Sequence, residues 1–212
     1  MKIFKRKMFC EPLRENECNR ELIQAFRIYR EDEYRGMEGK VIGLEAFLKY
    51  CAWEQDEKGL IKVYLVKTYF TNEIVAYFAL RAGLISVDCD DRDYQREKVA
   101  KRAGTKLVPD TIPGIEISHF AVNDCYREKY SKAGLLIKGL GKYIYPEFIY
   151  PIISDIKSKL GVNILYLYAA GDKTLINYYR EVFGFLELNY DSKLVPVTSY
   201  YDDYCEFMYR SI

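Results

Sequence analysis

Gly139-Leu140-Gly141 is the stretch of this chain whose residue types and spacing first suggest chemistry. It stands between a polar segment and a run with helical apolar spacing, and the unsatisfied N–H groups of a helix start are a receptor for phosphate. Two nucleotide motifs fail at this position. A Walker loop needs Gly-Lys-Ser/Thr after four spacer residues, but Tyr143 follows Gly141-Lys142 and Leu136 stands where the first glycine belongs. A dinucleotide fingerprint needs a third glycine where Ile144 stands. From Asp124 to Lys142, the cations Arg127, Lys129, Lys132, Lys138 and Lys142 outnumber Asp124 and Glu128, which suits an anionic ligand. The chain's one histidine, His119, cannot build the two- or three-imidazole sites of most zinc enzymes, so no metal is expected. It is read as a structural residue, with substrate contact or proton shuttling as the sharper option. The six cysteines, Cys10, Cys18, Cys51, Cys89, Cys125 and Cys205, form no C-x-x-C pair and read as reduced thiols.

The elements that must position these residues follow from periodicity. Leu22, Ala25, Phe26 and Tyr29 form one helical stripe, and Leu44, Phe47, Leu48, Cys51 and Ala52 a second. Ile61 to Phe70 and Ile74 to Leu80 are rich in β-formers around Thr71-Asn72-Glu73, which predicts a hairpin. The charged stretch within residues 82–113 reads as an exposed insertion. Ile115 to Val122 is a strand, followed by a polar loop from Asn123 to Lys138. The next helix carries Ile149, Ile152, Ile153, Ile156 and Leu160, is closed by Gly161, and must kink or restart at Pro146 and Pro151. Asn163 to Ala170 is apolar enough for a strand covered on both faces. Strand, helix and strand in this order imply a parallel pair. Asp172 caps a further helix ended by Gly184, and short strands are expected near 186–188 and 205–209.

In this order, the parts resemble the GNAT superfamily of N-acetyltransferases, over about Ile74 to Phe185. Phe120-Ala121-Val122 occupies the place of the Leu-Ala-Val that closes the family's fourth strand. Gly139 and Gly141 take the small positions of its Gln/Arg-x-x-Gly-x-Gly/Ala pyrophosphate loop. Leu136 departs from the leading Gln/Arg, the link is longer than usual, and Arg127, Lys132 or Lys138 is the candidate replacement cation. Asp172, Leu175, Tyr179 and Gly184-Phe185 follow the Asn-x-x-Ala-x-x-Phe-Tyr…Gly-Phe signature with substitutions. One extra residue keeps Tyr178 as a second candidate for the family tyrosine.

The resemblance implies an α/β fold: a mixed, mostly antiparallel sheet flanked by helices, with a splayed parallel pair at strands 4 and 5. It implies one domain over residues 1–212, with helices before 61. Acetyl-CoA is the implied co-substrate, with Phe120, Ala121, Val122, Lys138, Gly139, Leu140, Gly141, Lys142 and Asp172 on the cofactor side. An N–H near Phe120 or Val122 would hold the thioester oxygen. Tyr179, or Tyr178, would protonate the departing thiolate, since a phenol of pKa near ~10 stays protonated at neutral pH. Glu116, the nearest carboxylate in the matched strand, is the candidate base for the amine.

The charge balance, 32 Lys and Arg against 31 Asp and Glu, argues against a dedicated nucleic-acid binder. Acetyl-CoA and an amine of unknown identity are the expected partners, with a homodimer possible. A non-catalytic acyl-CoA-binding protein and a toxin-like aminoacyl-tRNA acetyltransferase are the alternatives. With neither an export signal nor an apolar run near the ~18 residues of a membrane span, the expected location is cytoplasmic.

Overall fold

The computed structural model describes residues 8–29, 43–87, 101, 111–132, 139–187, 194–196 and 205–212. The strands are β1 (Met8–Pro12), β2 (Lys62–Thr68), β3 (Ile74–Val87), β4 (Thr111–Val122), β5 (Ile164–Ala170), β6 (Leu186–Glu187), β7 (Leu194–Pro196) and β8 (Cys205–Ser211). They form one eight-stranded sheet in the order β1-β2-β3-β4-β5-β8-β6, with β7 on β3. The β4–β5 pair is parallel, from Gly114↔Ile164 to Ile117↔Leu167, while the other recorded pairings are antiparallel. β4 and β5 thus have the parallel relation that the strand, helix, strand order requires. Their pairing stops before either strand ends.

The chain divides into two compact units, Met1–Leu80 with His119–Pro151, and Arg81–Ser118 with Ile152–Ile212. In the first, Phe26, Phe47, Leu48, Val63, Leu65 and Tyr77 build the core. The β2–β3 hairpin turns through Asn72, whose φ of 58° is the left-handed conformation that asparagine tolerates. In the second, Ile85, Ile112, Ile164, Tyr166, Phe207 and Tyr209 cluster on one face.

Several elements differ from the sequence expectation. The first stripe gives only α1 (Asn19–Leu22) and a 3₁₀ turn, Ile23–Ala25. Arg27 to Tyr29 are held by tertiary hydrogen bonds instead. Arg27 and Tyr29 N–H groups donate to Asn123 Oδ1 at 3.3 Å and to Asp124 Oδ2 at 3.0 Å, and the Ile28 N–H donates to Glu45 Oε2 at 2.8 Å. α2 runs as Leu44–Ala46, widens into a π turn at Phe47–Cys51 and continues as Ala52–Glu57. β3 and β4 extend six and three residues into the expected insertion, and the rest of that insertion, apart from residue 101, lies outside the described residues. The polar segment after β4 is a helix, α3 (Asp124–Lys132). Asn123 starts it by accepting from the Cys125 N–H at 3.1 Å, the local hydrogen bond that makes Asn a helix initiator.

Candidate active site

After α3, the described chain resumes at Gly139, whose φ of 81° and ψ of 26° place it in the left-handed region that favours glycine. From there α4 runs as Leu140–Ile144, a π turn at Tyr145–Ile149, and Tyr150–Leu160. The π turn coincides with Pro146, which has no N–H for an α-helical bond, so the expected disturbance is met by widening the helix. Gly139 gives no side-chain cap to the first turn of α4, which opens with Leu140 and Gly141. Lys142 lies in this first turn and is exposed. Lys138 and Leu136 lie outside the described residues. Two of the candidate cations are already engaged within α3: Arg127 pairs with Asp124 at 3.0 Å and Lys132 with Glu128.

On β4, Ala121 is buried, and Phe120 and Val122 are half-buried. His119 lies face to face with Phe47 of the α2 π turn, ring centroids 3.5 Å apart and planes 13° apart. Sequence periodicity gave no signal for this stack, because it joins residues far apart in the chain.

Asp172 caps α5 (Lys173–Phe183), its Oδ1 accepting from the Thr174 N–H at 2.8 Å. At the other end Gly184, with φ 70°, closes the helix as a Schellman motif: its N–H donates to Arg180 O at 3.1 Å, and the Phe185 N–H to Tyr179 O at 3.2 Å. Tyr178 and Tyr179 are both half-buried. The Tyr178 ring meets Phe183 edge-on at 5.1 Å, and the Tyr179 ring meets Phe183 and Phe185 at 5.8 and 5.9 Å. Both phenols are fixed by packing, and neither is preferred on this ground.

Glu116 is fully buried, with its Oε2 accepting from Arg81 Nε at 2.9 Å. Its partner across the parallel pair is Tyr166, also fully buried. The Tyr166 hydroxyl feels the Glu116 carboxylate without the geometry of a full hydrogen bond. Burial first, and then that carboxylate, push the phenol pKa up. Arg81 and Tyr166 are the residues that sequence reading missed, since only strand pairing brings them to Glu116.

Among the described residues, no group of three or more His, Cys, Asp or Glu is placed to hold a metal ion, and no helix is long and apolar enough to cross a membrane.

The strand order and the parallel β4–β5 pair, with a helix between these two strands, define the GNAT fold. Solved structures similar to the chain include a tyrosine-to-phenylalanine mutant of KacT, with a TM-score of 0.62 and 13% identity over 97% of this chain and 95% of that one. AtaT complexed with acetyl-methionyl-tRNAfMet is similar at 0.59 and 14%, covering 89% and 93%. A tyrosine-to-phenylalanine mutant of the AtaT toxin, bound to the C-terminus of the antitoxin AtaR and acetyl-CoA, is similar at 0.55 and 11%, covering 97% and 93%. No protein-family model and no curated protein sequence matches the chain.

Proposed function

We propose that this chain is an acetyl-CoA-dependent N-acetyltransferase. The observation that carries the reading is Gly139, left-handed and uncapped, at the head of the helix that links β4 to β5 in a GNAT fold. In this reading the first turn of α4, with Gly141 and Lys142, receives the pyrophosphate, and an N–H of β4 near Phe120 or Val122 holds the thioester carbonyl as negative charge develops. The neutral acceptor amine attacks the carbonyl carbon, the C–S bond breaks, the thiolate takes a proton from Tyr179, with Tyr178 as the other candidate, and the surplus proton of the new amide nitrogen passes through water to restore the phenol. Much of the acceleration comes from holding amine and thioester together, where effective molarities reach about 10⁵ M or more.

For the acceptor, the amine of an aminoacyl-tRNA is the favoured class, because a structure sharing this fold over most of its length, AtaT, is complexed with acetyl-methionyl-tRNAfMet. This sets aside the expectation, drawn from the balanced charge, that nucleic acid is an improbable partner. Net charge averages over the whole surface, whereas RNA contact needs only a local cationic face.

Thiol release from acetyl-CoA, measured against bulk aminoacyl-tRNA and a panel of small amines, tests the reading. Gly141→Glu should abolish acetyl-CoA binding by calorimetry, and unchanged affinity would remove the assignment of that loop. Tyr179→Phe should lower turnover more than cofactor affinity; the reverse pattern, with Tyr178→Phe inactive, moves the acid to Tyr178. Acetyl-CoA binding with no thiol release for any acceptor would favour the non-catalytic acyl-CoA-binding alternative.

A further inference from the structure

We infer that Glu116 is a positioning residue, locked between Arg81 and the ring of Tyr166, and is not the group that takes the proton of the acceptor amine. This rests on the acetyltransferase reading above. The arrangement spans three neighbouring strands. Glu116 and Tyr166 are register partners on parallel strands, so their side chains leave the sheet on the same face. The Tyr166 ring lies over Gly114 of β4, where an added Cβ would stand 3.3 Å from two ring carbons. It ends against Gly83 of β3, where an added Cβ would stand 1.7 Å from the phenol oxygen and 2.7 Å from Cζ. Only Gly59, Gly139, Gly161 and Gly184 among the described glycines have positive φ, so Gly83 and Gly114 are required by the ring and not by the backbone. Two residues before Gly83, Arg81 reaches across to Glu116 at 2.9 Å.

Glu116 therefore has the Arg81 guanidinium on one side and the Tyr166 phenol on another, with none of its own surface exposed. A base must come within hydrogen-bond reach of the proton it takes, directly or through one water. What this brace can do is fix β4. It grips the strand at Glu116, one step before the parallel pairing ends at Ile117↔Leu167, and β4 continues unpaired with β5 to Val122. The N–H groups proposed to hold the thioester oxygen lie on that continuation, and their value depends on being held still before the reaction.

Two measurements on Glu116→Gln test this, with Glu116→Asp and Arg81→Lys alongside. The first, hydrogen exchange, needs no acceptor: amides of 118–122 should exchange about 10-fold faster than in the wild type, with β1 and β2 unchanged. Unchanged exchange at 118–122 overturns the inference whether or not the chain is a transferase. The second is the pH profile of thiol release with an acceptor that the wild type uses. The variant should lose about 10-fold in kcat, keep its acetyl-CoA KM within about 2-fold and retain the acidic limb. Loss of that limb with a drop of about 1,000-fold, partly restored in Glu116→Asp, makes Glu116 the base and refutes the proposal. Thiol release absent from the wild type counts against the acetyltransferase reading alone, because the exchange result stands by itself.

Discussion

Gly83→Ala isolates the fit between Tyr166 and the sheet. A methyl group there would meet the phenol oxygen at 1.7 Å, Cζ at 2.7 Å and Cε1 at 3.0 Å, against the ~3.5 Å of an ordinary carbon contact. The ring must retreat by well over 1 Å, yet it is fully buried, and the same Cε1 edge also lies against Gly114, 3.3 Å from an added Cβ there. Overpacking of this kind costs about 1–3 kcal/mol, and a stiff, fully buried ring places it at the upper end. At about 2–4 °C per kcal/mol for a chain of this size, Tm should fall by roughly 6–12 °C. Tyr166→Phe alone should change stability by less than about 1 kcal/mol, since the lost hydroxyl has no well-formed hydrogen bond to forfeit. In the Gly83→Ala background the same change removes the worst contact, so the double variant should recover about 1 kcal/mol or more relative to additivity. Thermal unfolding of the four proteins closes the cycle. A Gly83→Ala Tm within about 2 °C of wild type, or strict additivity, would refute the packing argument.

Lys67, 1% exposed, donates to Glu11 Oε1 at 2.8 Å and to Asn19 Oδ1 at 3.0 Å, so Lys67→Met should cost about 3–5 kcal/mol in urea unfolding. Adding Glu11→Leu should recover most of that loss, because the stranded carboxylate is then gone. Burial raises the pKa of Glu73, but hydrogen bonds from Lys129 and Thr71 outweigh it and hold the carboxyl below its ordinary 4.5. Its contribution is therefore complete above that value and is lost as pH falls through the lowered folded value; Tm measured from pH 6 to pH 3 should fall less steeply in Glu73→Gln than in wild type. Burial, then the neighbouring Glu11, push the Cys10 thiol up to about 12, whereas Cys18 is exposed. Alkylation at pH 8 followed by peptide mass spectrometry should label Cys18 well before Cys10, and equal rates would contradict the burial of Cys10.

What the sequence could and could not disclose divides along the range of the interactions. The caps of α5 were legible because each is local: Asp172 bonds two residues ahead, and Gly184 and Phe185 bond back within the last turns. The turn at Asn72 and the disturbance at Pro146 belong to the same class. The order strand, helix, strand was enough to predict the parallel β4–β5 pair, because a long apolar helix between two strands leaves room for a crossover. The segment around Arg27 failed because its helical stripe is overridden by bonds to Asn123, Asp124 and Glu45 from other elements. α3 carries the sequence signature of a loop because its polar residues satisfy each other across helix turns, as Arg127 does with Asp124, and contribute little apolar period.

The same distinction bears on the candidate residues. Gly139 and the two tyrosines could be placed from spacing, since a helix start and a helix face are local objects. The role of Glu116 is decided by what stands across the sheet. Alternation along β4 says that Glu116 shares a face with Gly114 and Ser118, but it is silent on Arg81, 35 residues earlier, and on Tyr166 of β5. A carboxylate beside open solvent and one clamped between a guanidinium and a buried ring have the same sequence signature and different chemistry. Proximity to the cofactor motif selected Glu116 as a base, yet the glycines at 83 and 114 carry the better clue. Two glycines within β-strands, neither at a positive φ, signal that a large side chain crosses there, and the residue that crosses determines what its neighbour Glu116 is able to do.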